Sequence, residues 1–436
     1  MQIFGKYEVV TPLMLGGANH APEFRLASYV HMLRWWWRFL ALSRFGTVES
    51  ASFWEAVMFG WHTKDFGRKR VSFRLMELDE RGYPAPWGNG LELNNWSGIS
   101  YLTAQGFKDR TSAKVKSFKV EARIGQRKLN DVPDFAGEPA ARWCLAQKTL
   151  IDAIALIGLL GGLGSRSRRG FGSLAVSELK IEDGPAVLTD NEIHRLPESV
   201  EDYKGMIARH LGTERHSGLP PYSALSKAFT HKICASHNNA RELMNDIGWA
   251  FQIYRSWGQR KDYNNPGNGH KHVKKTDGAE NTLDAGDAKA GWYKTEFKDD
   301  HNNFYDRGNN GYGTFPNNKF DNRAVFGLPH NYGKKEVGWD TRSGTGTHHR
   351  RASPLLFHFH RLGDGTTAFL ASVIPADFAP NGACLRVDGN LRTGRGLDLV
   401  SNIDFCLAEG FAAFLCNPDA TGAGEGVQYT SFTAIP

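Results

Sequence analysis

Residues 138–181 read EPAARWCLAQKTLIDAIALIGLLGGLGSRSRRGFGSLAVSELKI, and three changes of pattern inside them decide the fold class. Glu138 to Leu160 is helical and, in its second half, apolar nearly all round, as befits a helix buried inside a domain. Gly161 to Gly172 breaks that periodicity with glycines, and Ser173 to Ile181 reads as a strand. Upstream, Ser117 to Ile124 and Val71 to Leu78 alternate as strands. Ser28 to Arg44 is helical, with Leu33, Trp37 and Leu40 on one stripe and His31, Arg34, Trp35 and Arg38 on the other. Ile3 to Val10 is a strand ended by Thr11-Pro12, because the residue before proline is kept out of the helical region. The order strand, helix, two strands, helix, strand is the split β-α-β-β-α-β arrangement of ferredoxin-like and RRM-type domains.

Downstream the pattern repeats coarsely, with a strand near Ala228 to Ala235, a helix Ala240 to Trp257, strands Pro354 to Arg361 and Thr367 to Ile374, and a last helix Leu397 to Leu415. The expected fold is therefore α+β, with two ferredoxin-like (RRM-like) βαββαβ domains. Residues 1–182 form the first and carry the glycine-rich loop; 183–219 are a polar, weakly helical connection; 220–436 form the second. A flexible insertion, 259–322, rich in Asn, Gly, Asp and Lys, interrupts the second and offers too little apolar area to order itself alone.

The 436 residues carry a net charge of +7, which points to a polyanionic partner, nucleic acid first. Gln2, Lys6 and Glu8 break any leader-like apolar run, and Thr149 to Leu163, which contains Asp152, is about five residues too short to span a bilayer. A cytoplasmic protein without membrane partners is expected. The five cysteines include no C-x-x-C pair, so neither a disulfide framework nor a zinc knuckle is written, and no cofactor is called for.

Arg25, Arg34, Arg38 and Arg44 fall between Glu23 and Glu49 with no acid among them, and Trp35, Trp36 and Trp37 lie inside that run. Guanidinium forks suit phosphates and an aromatic face can stack an unpaired base, so Arg34, Arg38 and Trp35 are candidate contacts to single-stranded nucleic acid, with Trp37 a core residue. The loop, with Gly164, Ser165, Arg166, Arg168, Arg169 and Gly170, reads as a phosphate cradle of exposed N–H groups and arginines. It is not a Walker loop, since no Gly-Lys-Ser/Thr ends it, and Arg169-Gly170-Phe171-Gly172 matches the RNP1 signature only partly. Two further basic clusters, Lys64 to Arg70 and Arg342 to Arg351, read equally well as solvated faces. Among the histidines, His20 and His31 stand beside the proposed groove; His358 and His360 share a strand face and read as core.

Together, Thr11-Pro12-Leu13 with Leu15-Gly16-Gly17, Glu23-Phe24-Arg25 with Ser28, Leu33-Arg34-Trp35-Trp36-Trp37-Arg38 and the loop Leu163 to Ser173 resemble the RAMP superfamily of CRISPR effector subunits. Within it the likeness is greatest to the first-numbered subunits of type III-B, or Cmr, complexes. Arg350-Arg351-Ala352-Ser353-Pro354-Leu355 extends it into the second half. The resemblance implies a non-catalytic RNA-binding subunit of an antiviral ribonucleoprotein, placed near the 3′ region of guide RNA and its paired target among other RAMP subunits. Arg25, Arg34, Arg38, the loop arginines, Arg350 and Arg351 would be the RNA contacts. Two rivals remain open: a metal-independent endoribonuclease of the same superfamily that trims precursor RNA, with His20 or His31 as base, and a stand-alone RRM-like regulator.

Overall fold

In the computed structural model, the residues described are 1–16, 21–60, 69–88, 98–103, 111–125, 139–255, 322–328, 330–332, 335–341, 349–377, 379, 382–387, 390–391, 405 and 408. The expected last helix, Leu397 to Leu415, lies outside them but for Phe405 and Ala408, and the insertion 259–322 but for Asn322, which opens a 3-10 turn, Asn322–Phe326. The chain opens with β1 (Gln2–Val9), α1 (Leu26–Phe45), α2 (Val48–Phe59), β2 (Val71–Asp79), α3 (Gly98–Thr103), β3 (Ser117–Ile124), α4 (Pro139–Leu159) and β4 (Leu174–Glu182). These strands make one antiparallel sheet in the order β2-β3-β1-β4. Alternation on β1 buries Ile3, Tyr7 and Val9 against the helices and turns Gln2, Phe4, Lys6 and Glu8 outward. The Tyr7 hydroxyl donates to Ile154 O of α4 (2.8 Å) and meets the Tyr29 hydroxyl of α1 (2.8 Å), tying both helices to the central strand.

The sequence pattern did not reveal α2. Gly46, at φ +84°, ends α1 and returns its N–H to Leu42 O, and Thr47 caps α2 by accepting from Ser50 N at 3.1 Å. The two helices therefore run back on one another, packing Trp37 on Phe59 and Phe45 on Trp54.

Next come α5 (Ala186–Thr189) and α6 (Val200–Leu211). The connection is more than a polar link, because Tyr203, Met206, Ile207 and Leu211 form a buried stripe. With it His210 sets Nδ1 at 2.9 Å from Asp152 on α4. Arg44 reaches the same carboxylate at 2.7 Å and Lys148 at 2.8 Å. Arg44 is thus an interior residue bonded also to Thr149 Oγ1 and His210 O, and it adds nothing to the surface field expected of it.

The second half contains β5 (Thr230–His237), α7 (Ala240–Arg255), β6 (His330–Tyr332), β7 (Lys335–Thr341), β8 (Leu355–Arg361), β9 (Thr367–Val373), β10 (Ala383–Val387) and β11 (Asn390–Leu391). Strands β5-β9-β8 form an antiparallel sheet whose order repeats β1-β3-β2 of the first. The sheet β11-β10-β7-β6 was not expected. The chain is α+β with antiparallel sheets, and its two halves share their apolar cores. One cluster joins Leu356, Leu370 and Ile374 to residues of the first half, while the other joins Trp87, Leu102 and Phe171 to Met244, Phe251 and Phe357.

The orphan carbonyls at the end of α4 are closed by side chains from elsewhere. The Tyr203 hydroxyl donates to Leu159 O, His358 Nδ1 to Gly161 O (2.8 Å) and His360 Nδ1 to Gly158 O (3.1 Å). His358 and His360 are fully buried, as core histidines should be. Burial pushes His358 down to about 3 and His360 well below its usual range, His358 adding to the second shift. Unfolded histidines bind protons near pH 6.5. Stability from this pair is therefore complete above that pH and lost as the pH falls toward 3, by about 1.4 kcal/mol per pH unit for each histidine. Urea midpoints between pH 4.5 and 7 should fall accordingly. His358→Asn, which keeps a donor near Nδ1 and does not titrate, should flatten the trend; an unchanged slope would remove the pair from the account.

Candidate nucleic-acid interface

The loop 161–172 is folded inward. Ser165 N–H donates to Met14 O (2.8 Å), Gly172 N–H to Pro12 O (2.9 Å), Leu163 N–H to Gly172 O (2.9 Å) and Arg169 N–H to Arg166 O (2.8 Å). The Thr11 hydroxyl donates to Gly170 O (2.6 Å) and accepts from Ser173 N. Gly164 stands at φ +86° against the Met14 carbonyl. These donors therefore answer the chain's own carbonyls, which corrects the expectation of a cradle with exposed N–H groups.

Its arginines are directed likewise. Arg168 donates from Nη1 to Ser353 O (2.8 Å), lies 5.3 Å from the Trp35 ring and gives its own carbonyl to Phe357 N–H. Burial, helped by the charge of Arg351, lowers its guanidinium to about 10. Arg169 donates to Phe326 O (3.2 Å) and sits 4.5 Å from the Phe251 ring. Arg166, at φ +65°, turns the chain just before them. The loop joins the two halves of the molecule, and Arg168 and Arg169 are its pins. Neither is the exposed side chain that the sequence suggested.

The helix α1 face divides. Trp36 and Trp37 are buried, Trp37 as expected. Trp35 is half-buried, edge-on to Trp36 at 5.0 Å and stacked on Phe39 at 5.9 Å. Since Arg168 covers that ring as well, a base could stack there only by displacing it. Arg34 forks onto Glu55 of α2 from Nε and Nη2 (3.0 and 2.8 Å), and Arg38 Nε lies 3.1 Å from the other oxygen of that carboxylate. Arg25 pairs with Glu23 (2.8 Å) at the helix start. Sequence reasoning missed Glu55, whose signal was a lone acid in an otherwise apolar stretch.

In the second half Arg350 is exposed, while Arg351 donates to Asp377 O (2.7 Å). His31 is exposed on α1; His20 lies outside the described residues, as do Lys64 and Arg68 of one basic cluster and Arg342 and His348 of the other. Among the described residues no group of three His, Cys, Asp or Glu side chains is placed to hold a metal ion, and no helix is long and apolar enough to cross a membrane.

The open face of the first sheet is not an aromatic platform. Across the central pair, Phe4 stands opposite Glu121, Lys6 opposite Lys119 and Gln2 opposite Arg123. Lys119 pairs with Glu178 (3.6 Å), Arg123 with Glu121 (3.0 Å) and Lys180 with Glu182 (2.7 Å). An RRM stacks two or three bases on aromatics of these strands. Here Phe4 is the aromatic offered by the outward positions of β1 and β3, and Phe171 of the RNP1-like run is fully buried. The RRM-like regulator loses its support.

No family model matches the chain. The CRISPR system Cmr subunit Cmr1-2 of Pyrococcus furiosus is 27% identical over 180 residues, 40% of this chain and 94% of that protein. Among solved structures, the apo form of Cmr1 from Pyrococcus furiosus aligns with a TM-score of 0.48 at 17% identity, covering 95% of this chain and 96% of that one. A chain of the type III-B Cmr-beta complex bound to cognate target RNA aligns with a TM-score of 0.47 at 14% identity, over 95% and 99%. In sequence, then, the chain is similar to a Cmr subunit over the 180 residues that align.

Proposed function

We propose that the chain is a non-catalytic RNA-binding subunit of a type III CRISPR ribonucleoprotein, holding the 3′ region of guide RNA and meeting the guide–target duplex beside other RAMP subunits. The observation that carries this reading is the sequence likeness to a Cmr subunit, which extends over nearly the whole of that relative. In the same reading the chain has two ferredoxin-like units, 1–182 and 220–436, joined by 183–219; the repeated order β1-β3-β2 and β5-β9-β8 supports it. Phosphate contacts fall to the exposed cations, Arg25, Arg38 and Arg350, and base pairing supplies sequence specificity, by analogy with another RNA-guided effector.

Co-expression with the remaining Cmr subunits and a guide RNA tests the assignment: the chain should co-purify with the RNA-loaded assembly. Incubated alone with repeat RNA in chelator, it should leave the RNA intact; cleavage would favour the endoribonuclease. Each phosphate contact contributes about 0.7 to the slope of log affinity against log salt for single strands. Replacing Arg25, Arg38 and Arg350 together by alanine should flatten that slope by about 2, equally for unrelated RNA sequences. An unchanged slope would move the binding surface elsewhere.

A further inference from the structure

Glu55 has only 8% of its side chain exposed and faces two guanidiniums of α1. The Arg34 fork saturates one carboxylate oxygen, with hydrogen bonds of 3.0 and 2.8 Å. Arg38 shares the other oxygen through one nitrogen, while 44% of its side chain is open to solvent. Tyr222 stands close enough for the charges of both Glu55 and Arg38 to act on its hydroxyl. Two positive charges on one buried negative charge leave a surplus of one, fixed in direction rather than carried by a freely rotating side chain. An arginine so held gives up less rotamer freedom on meeting a phosphate than an unanchored one.

We propose that Glu55 is a positioning residue, which holds the Arg38 guanidinium outward so that its terminal N–H groups meet a phosphodiester of the bound RNA. The inference rests on the RNA-binding function proposed above. It is distinct from the simpler role of Glu55 as a shield, because the two roles give opposite signs when the carboxylate is removed. A shield, once neutralised, leaves more positive charge, tighter binding and a steeper salt dependence. A positioning group, once neutralised, leaves the same extra charge with weaker binding.

The test is the affinity of the full chain for a labelled single-stranded RNA across a salt series, at a temperature where melts show each variant folded. Glu55→Gln should weaken binding about tenfold, the equivalent of one charge-assisted hydrogen bond. That loss should vanish in an Arg38→Ala background, because the effect passes through Arg38. Arg38→Lys, with the charge but not the planar fork, should keep the salt slope and lose affinity; it decides the matter should Glu55→Gln fail to fold. Tighter binding by Glu55→Gln, an equal loss in both backgrounds, or full affinity in Arg38→Lys would overturn the inference while leaving the RNA-binding function standing. Failure of the unaltered chain to bind RNA would overturn that function and this inference together.

Discussion

Asp152→Ala should lower the free energy of unfolding by about 3 to 5 kcal/mol, because it leaves a buried charge without its partner. Asp152 is wholly buried and Arg44 has 6% of its side chain exposed, so water does not reach the carboxylate and barely reaches the guanidinium. Burial pushes the Asp152 carboxyl up, but the hydrogen bond with His210 and the charges of Arg44, His210 and Lys148 outweigh it and hold the group below its usual range. A carboxyl held low contributes stability above its unfolded value, about 3.9, and loses it as the pH falls further. The Asp152→Ala variant should therefore be weakened at pH 7 and lose less on acidification below pH 4 than the unaltered chain does. Arg44→Met combined with Asp152→Leu should recover part of the loss, since it removes the unpaired buried arginine charge but leaves the buried His210 Nδ1 without its acceptor. Urea titrations of the three proteins measure this. A loss below about 1 kcal/mol in the single variant would mean that water, or a movement of Lys148, relieves the orphaned arginine.

The sequence made α1, β3, α4 and β4 legible, because each is set by its own periodicity. It hid α2, because Phe53, Trp54, Ala56, Val57, Met58 and Phe59 are apolar without either period. The sheet β11-β10-β7-β6 was hidden differently. Its strands are short, and β7 finds its partner across a long interval, Thr341 opposite Ala383, so no local pattern announces it. The candidate site divides in the same way. The arginines are visible as residue types, but their partners are set by tertiary structure: Glu55 lies 21 positions from Arg34, and Ser353 lies 185 from Arg168. A local field of arginines thus looks like a binding surface until the carboxylates and carbonyls that face it are known. For that reason Arg44 proved to be an interior residue and Arg168 a half-buried one held by Ser353 O, while Arg38 kept its exposure.

Gly170→Val should destabilise the fold by about 2 to 5 kcal/mol, and its effect on RNA binding should follow from that loss. Gly170 has φ +83°, a conformation that costs an L-residue about 1 to 2 kcal/mol. A Cβ built there would lie 2.4 Å from Phe359 Cε2 and 2.9 Å from Cδ2. That ring is fully buried and packed on Phe369 at 5.1 Å, so it has little room to retreat, and overpacking of this kind costs about 1 to 3 kcal/mol more. The backbone is equally fixed, since Gly170 O accepts from the Thr11 hydroxyl at 2.6 Å and from the Ser173 hydroxyl at 2.9 Å. Phe359→Leu in the Gly170→Val background should relieve the clash and leave the conformational strain, recovering part of the melting temperature. The contrast with a phosphate cradle is direct. A valine at an exposed glycine would block RNA and spare the fold, whereas here it separates the two halves of the molecule at the point where the loop enters the second. A Gly170→Val protein that melted like the unaltered chain and lost only RNA affinity would return the loop to the surface and overturn the inward packing described here.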